Sequence, residues 1–281
     1  MVATTNILHR LNINPDLARR MLGGFIRDQI DKVGARGAVL GLSGGIDSAL
    51  SAYLSVEVLG AENVLAVRMP YKSSSPDSMA DAEAVIESLE IPNITIPITE
   101  MADALINQFP DMSRVRKGNI MARVRMTVLY DQSAQRGLLV MGTSNKTEFL
   151  LGYSTLYGDS GVAMQPIADL YKYQVRQLSV ALGVPRSIIE KAPSADLWAG
   201  QTDEGELGFT YDEVDQVLYL LVDERYRIDE VAAEGFDRAF VEQIWTRVLA
   251  NHYKRTMPNI AKVSNRSIGH DFLYLRDWLG R

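Results

Sequence analysis

Leu17, Met21, Leu22, Phe25, Ile26, Ile30 and Val33 recur at helical spacing and predict an amphipathic helix over residues 16–33. A short apolar run at 38–42 reads as a strand, followed by a Ser-Gly-Gly turn at 43–45 and a helix over 47–59. Residues 63–69 predict a second strand, a helix begins near Asp77, and 93–98 predict a third strand. A long helical stretch covers 115–135, and 137–141 form a fourth apolar run. Between the second strand and its helix, residues 70–76 are a small-residue loop with the composition of a mobile lid.

Strands alternating with helices predict an α/β fold: a doubly wound, mostly parallel sheet with helices on both faces. Ligands of such sheets sit at the carboxyl ends of the strands. Two of those ends carry polar, glycine-bearing turns, 43–48 and 142–148, and are expected to face each other across one site. Beyond Asp159 the pattern turns helical, over 170–182, 211–225 and 236–254. Residues 192–209 form a long polar segment without periodicity, and 196–209 are expected to act as a second lid. No linker marks a boundary near residue 160, so one domain over 1–281 with a helical C-terminal part is expected.

Composition narrows the function. With 35 acidic against 29 basic residues, net charge −6, no basic excess is present to hold a nucleic acid by its phosphates. The absence of cysteine excludes disulfides, thiolate metal sites and a cysteine nucleophile, and fits a reducing cytoplasm. Three scattered histidines, His9, His252 and His270, do not make an HExxH zinc site. The first ten residues lack an export signal, and the most apolar run, 217–222, is too short to cross a bilayer. A soluble cytoplasmic protein is expected, with neither a membrane nor a nucleic acid as partner.

The densest motif is Gly41-Leu-Ser-Gly-Gly-Ile-Asp-Ser48, between a strand and a helix. Glycines let the backbone approach a ligand, and the N–H groups of the turn and of the new helix converge on a concavity that attracts an anion. No lysine follows as in a Walker A loop, and G-x-G-x-x-G is absent here. Two other readings stay open. The glycines can serve a plain strand–turn–helix joint. Gly41-x-Ser43-x-Gly45 also fits a hydrolase nucleophile elbow, with aspartates and then His252 or His270 downstream, although that leaves Asp47 and Ser48 without a role.

As a whole the octet resembles the ATP-pyrophosphatase signature, which implies an adenine nucleotide alpha hydrolase-like fold and cleavage of ATP between the α- and β-phosphates. Residues 119–126 (NIMARVRM), 142–148 (GTSNKTE), 157–159 (YGD), 191–196 (KAPSAD), 203–208 (DEGELG) and 253–255 (YKR) then follow in the order seen in the NAD synthetase family. The resemblance implies ATP-dependent amidation of deamido-NAD by ammonia through an adenylated nicotinate, and a magnesium ion held by Asp47 and Glu148. It implies an ATP site made of Gly41, Leu42, Ser43, Gly44, Gly45, Ile46, Asp47 and Ser48 with Arg68, Thr143, Lys172 and Ser194. Arg123, Tyr253 and Lys254 would contact deamido-NAD, and Asp47 and Asp159 would be catalytic, Asp159 as a proton acceptor near ammonia. A homodimer is implied as well. The helix at 115–135 is a candidate interface, but its Met121, Val124, Val128 and Leu129 fit an internal core equally.

Taken singly, these residues also have plainer roles: Asp47 as a helix N-cap, Glu148 as an exposed first-turn charge, Asp159 as a turn residue, Lys172 and Lys254 as solvated helix charges. The chain departs from many family members at Leu156, where they carry lysine, at Ala163, where they carry aspartate, and at Tyr253, where they carry histidine. Members that use glutamine carry an N-terminal amidase domain with a catalytic cysteine. About 40 residues precede the octet here and no cysteine is present, so free ammonia or a separate amidase is the expected nitrogen source. The competing functions are another adenylating ligase, a serine hydrolase and a nucleotide-binding regulator without turnover.

Overall fold

The computed structural model describes residues 6–194, 198 and 202–268. Its strands are β1 (Ala38–Gly41), β2 (Val64–Arg68), β3 (Asn93–Thr95) and β4 (Leu139–Val140), all parallel, in the order β3-β2-β1-β4. In chain order the first helices are α1 (Pro15–Val33), α2 (Ile46–Leu59), α3 (Pro76–Leu89), α4 (Thr99–Ile106), α5 (Arg114–Arg136) and α6 (Lys146–Leu151). They are followed by α7 (Lys172–Leu182), α8 (Arg186–Glu190), α9 (Asp203–Leu207), α10 (Tyr211–Leu218), α11 (Ile228–Ala233) and α12 (Arg238–Ala250). The α/β expectation holds.

Alternating side chains of the central strand feed two cores. Ala38 and Leu40 of β1 pack with Ile26 of α1, Leu50 and Leu54 of α2, and Val175 and Leu178 of α7. Val39 points the other way, toward Ala102 of α4 and Met121 and Leu129 of α5. A third core joins Leu151 of α6 to Val214 and Val217 of α10, Val231 of α11 and Ile244 of α12. The chain leaves β1 toward β2 and β3, then returns to place β4 on the opposite side of β1. This reversal opens a crevice between the carboxyl ends of β1 and β4, where open α/β sheets bind ligands.

Local chemistry sets the boundaries. Asn14 caps α1 by accepting from the Leu17 N–H, Pro15 opens it, and Gly34 at φ +65° closes it. Four expectations need correction. Gly137, at φ +68°, ends α5 rather than starting a strand, which leaves β4 only two residues, extended by a bridge from Met141 to Met164. The eight-residue α4 was not foreseen. Within the segment read as aperiodic, Asp203–Leu207 forms α9, capped by Thr202 and too short to show a helical period. The helix expected at 211–225 runs as α10 to Leu218 and then widens into a π turn at Tyr219–Asp223. Asp196, where the second lid was expected to begin, and His270 lie outside the described residues. Among the described residues no helix is long and apolar enough to cross a membrane.

Candidate functional site

A cavity of about 1040 Å³ opens at the carboxyl ends of the strands and is lined by the whole octet, residues 41–48. Gly44 turns there at φ +78°, and a Cβ on it would stand 2.1 Å from the Ser78 carbonyl oxygen, so only glycine fits. Ser48 Oγ donates to the Gly45 carbonyl (2.9 Å) and lies 3.2 Å from Ser43 Oγ, which accepts from the Gly45 N–H. Gly45 is the N-cap of α2 and supplies no side-chain cap. The first N–H groups of this helix therefore point, uncapped by side chains, toward the cavity. Asp47 lies inside the first turn of α2, not at the cap position.

The two strand ends do face each other. Asn145, completely buried, donates from Nδ2 to Asp47 Oδ1 at 2.9 Å. Its Oδ1 accepts from the Glu148 N–H (3.0 Å), while Glu148 Oε2 accepts from the Asn145 N–H (3.2 Å), a capping box that starts α6. Lys172, only 2% exposed, places Nζ 2.5 Å from Asp47 Oδ2 and 3.6 Å from Glu148 Oε1, and over the Tyr211 ring at 5.0 Å. Burial opposes the lysine charge, but Asp47 and Glu148 together hold its pKa above the usual value. Burial and the neighbouring Asp47 push the Glu148 carboxyl well above the carboxylate range. Glu148 is thus a partly buried member of an acid–lysine–acid group rather than a solvated first-turn charge.

Two further layers surround Lys172. Tyr211 and Tyr153 each donate to Asp203, both at 3.1 Å, and Tyr153 also donates to Glu206 at 2.6 Å. Burial raises the Asp203 carboxyl despite the Lys172 charge. Behind the site, completely buried Asp215 of α10 accepts from Thr147 Oγ1 (2.5 Å) and the Tyr173 N–H (2.8 Å). Thr147 Oγ1 accepts in turn from the Lys172 N–H (3.1 Å). One carboxyl therefore ties the first turns of α6 and α7, the turns that carry Glu148 and Lys172. Burial pushes it up to about 7, against the pull of those two donors.

The remaining expected site residues divide into two groups. Thr143, Ser194, Asp159 and Lys254 line the cavity. Asp159 is open to the cavity on one side, yet burial raises its carboxyl, opposed by the Thr155 N–H that it accepts at 2.7 Å. Arg68 is not brought in: on a strand, its side chain points opposite to Val67 and Met69, and its guanidinium pairs with Glu83 and donates to Asn93 (2.9 Å). Arg123 and Tyr253 are exposed outside the cavity wall, Arg123 donating to the Leu156 carbonyl (both at 3.2 Å). The lid at 70–76 is fastened to α4, with Tyr71 Oη and Lys72 Nζ each 2.6 Å from Asp103.

Among the described residues no histidine lines the cavity, so none of them supplies Ser43 with the base of a hydrolase triad. Sequence reasoning gave no individual role to Asn145 and Asp203, which stand inside motifs it noted, and passed over Tyr153 and Arg247 altogether. The Asn-x-x-Glu spacing at 145–148 was the signal for the first; the others come from elements whose approach only the fold creates.

The family model described as NAD synthase matches residues 19–258. The chain belongs to the NAD synthase family. The NH(3)-dependent NAD(+) synthetase of Trichlorobacter lovleyi is 59% identical over 271 residues, covering 96% of this chain and 99% of that protein. Among solved structures, the NH3-dependent NAD synthetase from Campylobacter jejuni superposes with a TM-score of 0.76 at 34% identity, covering 89% of this chain and 100% of that one. The NMN synthetase from Francisella tularensis gives 0.77 at 35%, covering 90% and 100%. Membership of the NAD synthase family makes the chain an ATP-using ligase rather than a hydrolase.

Proposed function

We propose that this chain makes NAD by ATP-dependent amidation of deamido-NAD, with free ammonia as nitrogen source and AMP and diphosphate as products. One observation carries the reading. The glycine loop after β1 and the acid pair Asp47/Glu148 meet over a single lysine at the switch point of the sheet, in a chain 59% identical to an ammonia-dependent synthetase.

The N–H groups of the octet and of the first turn of α2 take the triphosphate and offset its charge, with Lys172, Thr143 and Ser194 around the nucleotide. Asp47 and Glu148 are the magnesium ligands in this reading. The donor set fits: magnesium takes oxygen ligands, often one or two carboxylates with the rest from phosphate and water. No cluster of three or more acidic or histidine ligands exists among the described residues to form an all-protein cage. When bound, the ion neutralises phosphate charge and makes diphosphate a better leaving group. Nicotinate oxygen attacks the α-phosphorus, diphosphate departs, and ammonia then attacks the acyl carbon and expels AMP. Asp159 takes the proton that ammonium must lose, and burial, by raising its carboxyl above the ordinary value, makes it a stronger base than a free aspartate.

Within residues 1–281 no cysteine is present to attack glutamine, which favours ammonia as the nitrogen source. Exposed Arg123 and Tyr253 fit a dinucleotide that runs past the cavity rim along the face where a second copy would pack, as in a cytoplasmic homodimer. Arg68 has no role in this scheme. The test is pure protein with ATP, magnesium, ammonium and deamido-NAD, in which NAD, AMP and diphosphate should appear in equal amounts. Replacing ammonium by glutamine should abolish NAD. Absence of NAD with ammonium, or faster amidation of nicotinate mononucleotide than of the dinucleotide, would refute the reading.

A further inference from the structure

The cations of the cavity are unevenly neutralised. Lys172 is consumed by Asp47 and Glu148, and Lys191 by Asp81 at 2.7 Å. At the helical end, Arg247 of α12 and Lys254 of the turn His252–Arg255 also line the cavity, but they hold only main-chain carbonyls. Arg247 Nε donates to Leu151 (3.2 Å), and Lys254 Nζ to Gly152 (2.7 Å) and Ser154 (2.8 Å). Neither forms an ion pair with a carboxylate among the described residues. Both are partly buried, and desolvation lowers both pKa values, opposed by the charge of Glu206 at Arg247 and of Asp159 at Lys254, while Arg247 lowers Lys254 a little further.

Two partly buried like charges whose nearest carboxylates, Glu206 and Asp159, stand beyond ion-pair contact are costly, and an anionic ligand touching both would offset that cost. The carbonyls of residues 151–154 aim the two side chains and leave donors free. An ammonium has three donors and a guanidinium five, so one remains on Lys254 and four on Arg247. A fork with free terminal N–H groups suits phosphate oxygens, which it can grip in pairs. The ATP phosphates already have the octet and the start of α2, on the β1 side of the cavity.

We propose that Arg247, acting with Lys254, binds the diphosphate bridge of the dinucleotide acceptor rather than the phosphates of ATP, and so sets acceptor affinity. This rests on the proposed amidation of deamido-NAD. Arg247→Gln should raise KM for deamido-NAD about 10- to 100-fold, the loss of one or two charge-assisted bonds. KM for ATP should stay within about twofold, and the dependence of the deamido-NAD KM on salt should flatten. A purely structural role for Arg247 would disturb both substrates alike and leave the salt dependence unchanged.

Should Arg247→Gln not fold, Arg247→Lys carries the same test, with a smaller rise in the deamido-NAD KM only. Calorimetric binding of deamido-NAD without ATP separates the two readings. Wild type that binds the dinucleotide while Arg247→Gln does not supports this site even if no NAD is formed. An unchanged deamido-NAD KM, or an equal rise for ATP, overturns it even if wild type makes NAD.

Discussion

Asp215 gives the sharpest quantitative test of how the site is braced. It is completely buried and its carboxyl is raised to about 7 by desolvation, against an ordinary value of 3.8. A carboxyl raised in the folded state favours the protonated form there. Its contribution to stability is therefore full below pH 3.8 and lost as pH rises through about 7. Integrating the linkage between pH 5 and pH 8 gives a change of about 2–3 kcal/mol from this group alone. Asp215→Asn removes the titration. It also sets an amide N–H₂ against either Thr147 or the Tyr173 N–H, a pH-independent cost of about 1–3 kcal/mol. Urea unfolding of both proteins should show wild type ahead at pH 5, with the gap narrowing by about 2–3 kcal/mol at pH 8. Other titrating groups cancel in the difference. A gap constant to within about 0.5 kcal/mol, or one that widens with pH, would mean that the two donors keep Asp215 ionised and that burial does not dominate.

Lys172→Met leaves Asp47 and Glu148 without their shared cation. Stability near pH 7.5 should fall by about 3–5 kcal/mol and partly recover toward pH 5.5, where Glu148 is protonated in the folded state but not in the unfolded one, read by denaturant melts; no loss would show the pair to be hydrated and independent. Gly44→Ala should raise KM for ATP at least about tenfold and lower Tm, because its Cβ would meet the Ser78 carbonyl. Gly24→Ala on the open face of α1, with nothing within 4 Å, should instead be neutral or stabilise by about 0.5–1 kcal/mol. Asp159→Asn should cut kcat about 10²- to 10⁴-fold and remove an acid limb lying above the ordinary carboxylate range, measured at constant free ammonia; an unchanged profile would take the proton-transfer role from Asp159.

The sheet and the glycine turn after β1 were readable because period-two and helical patterns are local, and because Gly44 answers a backbone requirement that the sequence states directly. Asp47 and Glu148 were readable from their motifs, and the fold adds the lysine between them. What stayed hidden depends on long-range approach. Asp215 is 68 residues from Thr147, and Arg247 is 96 from Leu151, so no window of sequence joins them. Arg68 misleads for the opposite reason. Its position at a strand end is plain in the sequence, but the face it occupies follows from strand parity against Val67 and Met69. The short α9 escaped because five residues hold barely more than one turn, in which no period can repeat.

Asn145 spans the gap between the β1 and β4 termini with a single amide, oxygen toward α6 and nitrogen toward Asp47. This side chain is one of the ties that set the distance between the two halves of the crevice, beside the backbone pairing of Met141 with Val39 and the Lys172 bridge. Lengthening it by a methylene, as Asn145→Gln would, should widen the gap without unfolding either half. Replacing it with Asp would press a third negative charge against Asp47 and Glu148. The register between the glycine loop and the Asp47–Glu148 pair is thereby fixed in the resting protein.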